Sequence, residues 1–156
     1  MATKLNYDAT HAVSYPSKML ASNVGGGHIL NVKLAADCDN GSLIGLGDFI
    51  DLDLYEEAAA TTFEGVIQKQ AANGNWYVEV VDPGDAYYVY MPPFIAEEWT
   101  KSFKNEKRWF NASNDVVRAY QMCKHDVFEL SAEGFDGTPE AGKTVTVVAK
   151  KLKVNA

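Results

Sequence analysis

The residues able to do acid–base or nucleophilic chemistry are few. The histidines are His11, His28 and His125, and the cysteines are Cys38 and Cys123. No histidine belongs to an H-x-x-H pair, and neither cysteine has the C-x-x-C or Cys/His spacing of a zinc site. His125 stands two residues from Cys123. A Cys–His nucleophilic pair needs contact between the side chains and a third group to orient the imidazole, so these two read instead as turn residues of a hairpin. Asp37-x-Asp39-Asn40-Gly41, followed by Asp48, Asp51 and Asp53, suggests a Ca²⁺ loop. It fails the EF-hand pattern, because the glycine comes one position early and Asp48 stands where a bidentate glutamate is required. Turn-capping carboxylates on a solvated strand face account for it. No serine lies in G-x-S-x-G. Gly25-Gly26-Gly27 lacks the Lys-Ser/Thr of a phosphate loop, and Glu56-Glu57 and Glu97-Glu98 are neighbours that a helix would point about 100° apart. An enzyme is therefore not expected, nor any cofactor or metal.

Aromatic side chains are the stronger chemical signal: Trp76-Tyr77, Tyr87-Tyr88-Tyr90, and the group from Trp99 to Phe110. In AYYVYM, Tyr88 and Tyr90 fall on one side of a strand, and Tyr87 and Val89 on the other. Either one side presents tyrosine to a sugar or a protein, or the sheet is covered on both faces.

Composition limits the partners. With 14 basic and 21 acidic residues the chain carries a net charge of −7, the wrong sign for a phosphate backbone. Its basic clusters, Lys101–Arg108 and Lys150-Lys151-x-Lys153, are short. No apolar run approaches the roughly 20 residues of a membrane span, and the N-terminus has no signal-peptide core. Neither nucleic acid nor membrane is an expected partner. Cys38 and Cys123 read as separate small residues in a chain made in a reducing cytoplasm, although sequence leaves their pairing open. The Asn111-Ala112-Ser113 sequon matters only for a secreted eukaryotic protein.

The elements that must position these residues are mostly strands. Residues 1–27 read as an extended arm or a frayed terminus, broken by Pro16 and closed by the triple glycine. Within it Tyr7, Tyr15 and Met19 are interface-type residues. HILNVKL (28–34) alternates, with Leu30, Val32 and Leu34 on one side, and Asn40-Gly41 supplies a turn. In SLIGLGDFIDLD, Ile50, Leu52 and Leu54 oppose Asp51 and Asp53, and Gly45 and Gly47 mark a bulge or close backbone approach. YEEAAATT (55–62) has the makings of one helical turn. FEGVIQ and WYVEVV flank an Asn73-Gly74 hairpin, and AYYVYM follows the Asp82–Asp85 turn. Between residues 93 and 111 the rhythm changes. Ile95, Trp99 and Phe103 are spaced i, i+4, i+8, which predicts a short amphipathic helix or an aromatic loop. Phe94, Phe103, Trp109 and Phe110 join Trp99 as candidate interface residues. VVRAYQM and VFELS (within 114–135) then form the cleanest pair of strands, and KTVTVVAKKLKV ends the chain. About eight strands, with turn signals roughly every 8–12 residues, predict an all-β sandwich or barrel. The β domain would span 28–156, with possible halves 28–92 and 112–156 joined by 93–111.

The plan of polar arm, compact β domain and terminal strand resembles small virion proteins of tailed bacteriophages, specifically head decoration (cement) proteins. The likeness is strongest in Val117–Tyr120, Asp126–Ser131 and Pro139–Val145. The resemblance implies a non-enzymatic protein on the outer capsid surface of a virion, contacting several major capsid subunits and stabilising the shell, with the arm reaching across subunits. Self-association stays open, and no ligand residue transfers. Two other readings stand beside it: another phage part, such as tail tube or head fibre, and a carbohydrate- or receptor-binding β module using Trp76, Tyr88 and Trp99.

Overall fold

The structure, a computed structural model, describes residues 11–21, 28–52, 54–91 and 110–155. Twelve strands are found among them: β1 (Ser14–Lys18), β2 (Ile29–Lys33), β3 (Leu43–Asp51), β4 (Leu54–Ala59), β5 (Glu64–Gln70), β6 (Trp76–Asp82), β7 (Tyr87–Val89), β8 (Val116–Gln121), β9 (Val127–Leu130), β10 (Phe135–Asp136), β11 (Thr144–Val148) and β12 (Lys151–Val154). The all-β class holds. Five strands close into a barrel in the order β2-β4-β3-β7-β8, and the other seven form a sheet in the order β1-β9-β6-β5-β11-β12-β10.

The two sheets share one wall, and the alternation of side chains builds it. Along β8 the odd residues Val117 and Ala119 enter one cluster with Val32, Leu34, Cys38, Ile44 and Val89. The even residue Tyr120, and Met122 just beyond the strand, enter the other, with Phe63, Ile67, Val78, Val80, Phe128, Leu130 and Leu152. In β3, Leu43 joins the second cluster and Ile44 the first; in β7, Tyr88 joins the second and Val89 the first. Since successive side chains point to opposite faces, the first cluster fills the barrel and the second lies between barrel and sheet. Of the two readings of AYYVYM, a sheet covered on both faces is the one observed.

Several expectations need correction. The halves 28–92 and 112–156 are interleaved: β2, β3, β4 and β7 close into the barrel with β8, while β5 and β6 join β9 to β12 in the sheet. The segment 55–62 is strand, because β4 is held by β3 on one side and parallel β2 on the other, and tertiary pairing overrides the helix propensity of Glu and Ala. The 114–135 stretch is not a hairpin. β8 pairs with β2 and β7, whereas β9 pairs with β1 and β6, so the Cys123–Asp126 link carries the chain from barrel to sheet. His125 takes a left-handed φ of 76° there, and its N–H donates to the Val80 carbonyl at 2.8 Å. Within the expected arm, residues 14–18 are the edge strand β1, paired antiparallel to β9. Ile50 and Leu52 were expected on a half-buried face but are exposed, for reasons given below.

The turn signals were sound. Gly41 and Gly74 adopt φ of 85° and 93°, a region that glycine enters without strain. At Asp82–Asp85 the turn is tied to the strap before β5. Asp85 accepts the backbone N–H groups of Thr61 and Thr62 at 3.0 and 2.9 Å and their hydroxyls at 2.8 and 3.1 Å. The Thr62 backbone bond and the Thr61 hydroxyl bond lead in holding its carboxyl down at about 2 rather than 3.8. A depressed folded pKa contributes stability above the unfolded value, lost as pH falls through the folded one. Asp85→Asn is therefore expected to be less stable than wild type at neutral pH. Thermal melts between pH 7 and 2 should show the gap closing as pH falls from about 4 towards 2; a pH-independent gap would refute the assignment.

Candidate interaction surface

The chemistry-bearing residues are tied into the fold. His11 Nδ1 lies 2.6 Å from Asp39 Oδ1, the Ala12 N–H donates to Asp39 Oδ2 at 2.9 Å, and the imidazole stacks on Phe110 at 5.1 Å. Asp39 thus fastens the segment entering β1. Asp126 fastens the segment leaving it, accepting from Leu20 N–H at 3.3 Å and from Cys123 N–H at 2.8 Å. Asp37 accepts from Ser113 N–H at 2.7 Å. Among the described residues no group of three or more His, Cys, Asp or Glu could hold a metal ion.

A cleft of about 190 Å³ runs between the Asp37–Ser42 turn and the Ala149–Lys150 turn. Lys150 Nζ forms an ion pair with Glu57 Oε2 at 2.7 Å. Burial pushes the Cys38 thiol up to about 12, with Lys150 opposing. A thiol held protonated is a poor nucleophile, so the cleft presents no activated cysteine. His125 Nδ1 contacts Glu79 Oε2 at 3.0 Å on the exposed side of the link. Cys38 and Cys123 are both free. The sequon asparagine, Asn111, is 1% exposed. Its backbone bridges Cys38, and its side-chain amide donates to Asn40 Oδ1 at 3.1 Å; this leaves no room for a glycan on the folded chain.

The expected interface residues divide. Met19 is a correction: it is fully buried in the large core, where an unbranched thioether fills space between sheet and barrel. Phe110 is half-buried under His11. Tyr15 lies half-buried on β1 opposite Glu129. Tyr7, Phe94, Trp99, Phe103 and Trp109 lie outside the described residues, as does nearly all of the 93–111 segment. Of the residues named for a carbohydrate module, Tyr88 is in the core and Trp76 packs against it; Trp99 lies outside the described residues.

The surface feature that sequence reading missed is the β3–β4 tip. Phe49 is 63%, Ile50 43% and Leu52 82% exposed. The cause is local. The pairing of β3 with β4 shifts register between Leu46 and Phe49 and again between Phe49 and Asp51. A Cβ added at Gly45 or Gly47 would sit 2.9 or 3.0 Å from a carbonyl oxygen of β4, so both glycines permit close strand approach there. Bulges bend a ribbon and re-aim its side chains. Phe49 packs edge-on against Tyr55, with centroids 5.7 Å apart at 75°, and Leu52 N–H is capped by Asp51 Oδ1 at 2.7 Å. The one signal available in the sequence was a run, DFIDLDL, with no turn dipeptide where two strands must reverse. It reads as a single continuous strand.

Searches against protein-family models, curated proteins and solved structures returned no match.

Proposed function

We propose that this protein is a structural, protein-binding β module that decorates a phage capsid by attaching to major capsid subunits. The observation that carries the reading is the clustering of exposed apolar side chains. Of the six large hydrophobic residues exposed among the described ones, Phe49, Ile50 and Leu52 sit together at one hairpin tip. Contiguous apolar exposure of this kind marks an interaction site. The small resemblance in Val117–Tyr120, Asp126–Ser131 and Pro139–Val145 supports the choice of partner. So does the acidic balance, which suits a protein surface better than a nucleic acid.

The test is co-sedimentation of the purified chain with empty heads assembled from the major capsid protein of the same genome. Saturable binding, together with heads that resist heat or chelators longer when decorated, is the expected result. Heads that sediment without the chain at micromolar concentrations would overturn the reading.

A further inference from the structure

We infer that the β3–β4 tip is an insertion element that seats in an apolar slot of a partner protein whose rim carries lysine or arginine. The inference rests on the protein-binding reading above and assigns it a surface and a partner chemistry. Three observations argue it. The first is that Leu52, Phe49 and Ile50 stand exposed together at the end of the β3–β4 ribbon: every described residue from Asp48 to Leu52 is exposed. The second is that the described residues on either side of the turn are tied down. The Phe49–Tyr55 ring contact and the Asp51–Leu52 cap hold Phe49 and Leu52 in place, so these anchors need little ordering at the moment of binding.

The third is charge, which selects the occupant. Asp48 and Asp51 are exposed beside the apolar side chains, the sequence adds Asp53, and the chain as a whole carries −7. A second copy docked tip to tip would bring these carboxylates together, and like charges facing each other disfavour such a contact. An anionic lipid surface repels them for the same reason; membrane-seeking apolar tips are flanked by Lys and Arg instead. A slot with a cationic rim satisfies both halves of the tip: the apolar side chains supply the buried anchor, and the aspartates supply steering and register.

The probe is the same purified heads, with the protein alone and phosphatidylserine/phosphatidylcholine vesicles in parallel. Leu52→Ser, and Leu52→Ser combined with Phe49→Ser, should each melt as a folded protein. The double variant should bind heads roughly 30-fold or more weakly, the loss typical of a central anchor. Asp48→Asn with Asp51→Asn should lose several-fold at low salt and show a flatter dependence of affinity on ionic strength. Wild type that binds heads while Leu52→Ser and the double variant bind them equally well would overturn the tip and leave the capsid reading standing. Wild type that does not bind heads would overturn both. Tip-dependent vesicle binding or tip-dependent dimerisation would overturn it in favour of a membrane or a second copy.

Discussion

Replacing Tyr88 with alanine is expected to lower the unfolding free energy by about 3–5 kcal/mol, the usual cost of emptying a large aromatic site in a core. For a domain of this size that is a large fraction of the total. Tyr88 is fully buried on the shared wall. Its ring lies 4.9 Å from Phe128, 5.9 Å from Tyr120 and 6.4 Å from Tyr90, so one side chain knits β7, β8 and β9 together. Its hydroxyl also belongs to a directed chain. Ser14 Oγ approaches the Glu129 carbonyl and the Tyr88 hydroxyl, each at 2.5 Å. A carbonyl can only accept, so the single serine proton goes to it, and the tyrosine must donate to Ser14 Oγ. Tyr88→Phe removes only that donor and should cost about 1 kcal/mol. Burial raises the Tyr88 pKa well above 10.0. The folded state therefore keeps a proton that the unfolded state releases, and this part of the stability is lost as pH rises past the unfolded value. Urea unfolding at pH 7 and above pH 10 checks both points. Equal losses in the Ala and Phe variants, or a Phe variant with the wild-type alkaline profile, would refute the account.

Removing residues 1–21 is expected to have the second large effect: loss of the cooperative thermal transition and of the near-ultraviolet signal of packed aromatics. Treated as a detachable arm, this segment would be dispensable for folding. Instead β1 covers the edge of β9, and Ala12, Ser14, Met19 and Ala21 are buried. Met19→Ala alone should cost about 2–5 kcal/mol. Truncation adds the loss of the Val13–Ser131 bonds, in which Val13 N–H donates to Ser131 Oγ and Ser131 N–H to the Val13 carbonyl, each at 2.8 Å. It also leaves Asp39 and Asp126 without the N–H groups of Ala12 and Leu20. A truncated chain that melts cooperatively near the wild-type temperature would show that the segment is an accessory after all.

These two experiments touch what was hardest to read in the chain. Period-2 alternation and the Asn-Gly turns located most strands, because those signals are local and each strand carries its own. Which sheet a strand joins depends on partners far away in sequence. VVRAYQM and VFELS look like a hairpin, since a polar link of hairpin length separates them. Their assignment to different sheets is decided by β2, β7, β1 and β6. Met19 looked like an interface residue because of its type; its burial comes from the large core it joins, whose other members are drawn from strands far along the chain. The tip was missed for the opposite reason. Its alternation is good strand patterning, and the exposure of its apolar side chains goes with the register shifts between Leu46 and Asp51, which alternation does not reveal.

The shared wall has a consequence for how the molecule comes apart. β3, β7 and β8 each turn one face to the barrel interior and the other to the large core, so neither sheet owns them. Opening the barrel strips the second sheet of its floor, and peeling away the sheet exposes the outside of the barrel. There is no cheap intermediate in which one half survives. A load applied at the β3–β4 tip would therefore be borne by the whole body rather than shed by a yielding subdomain.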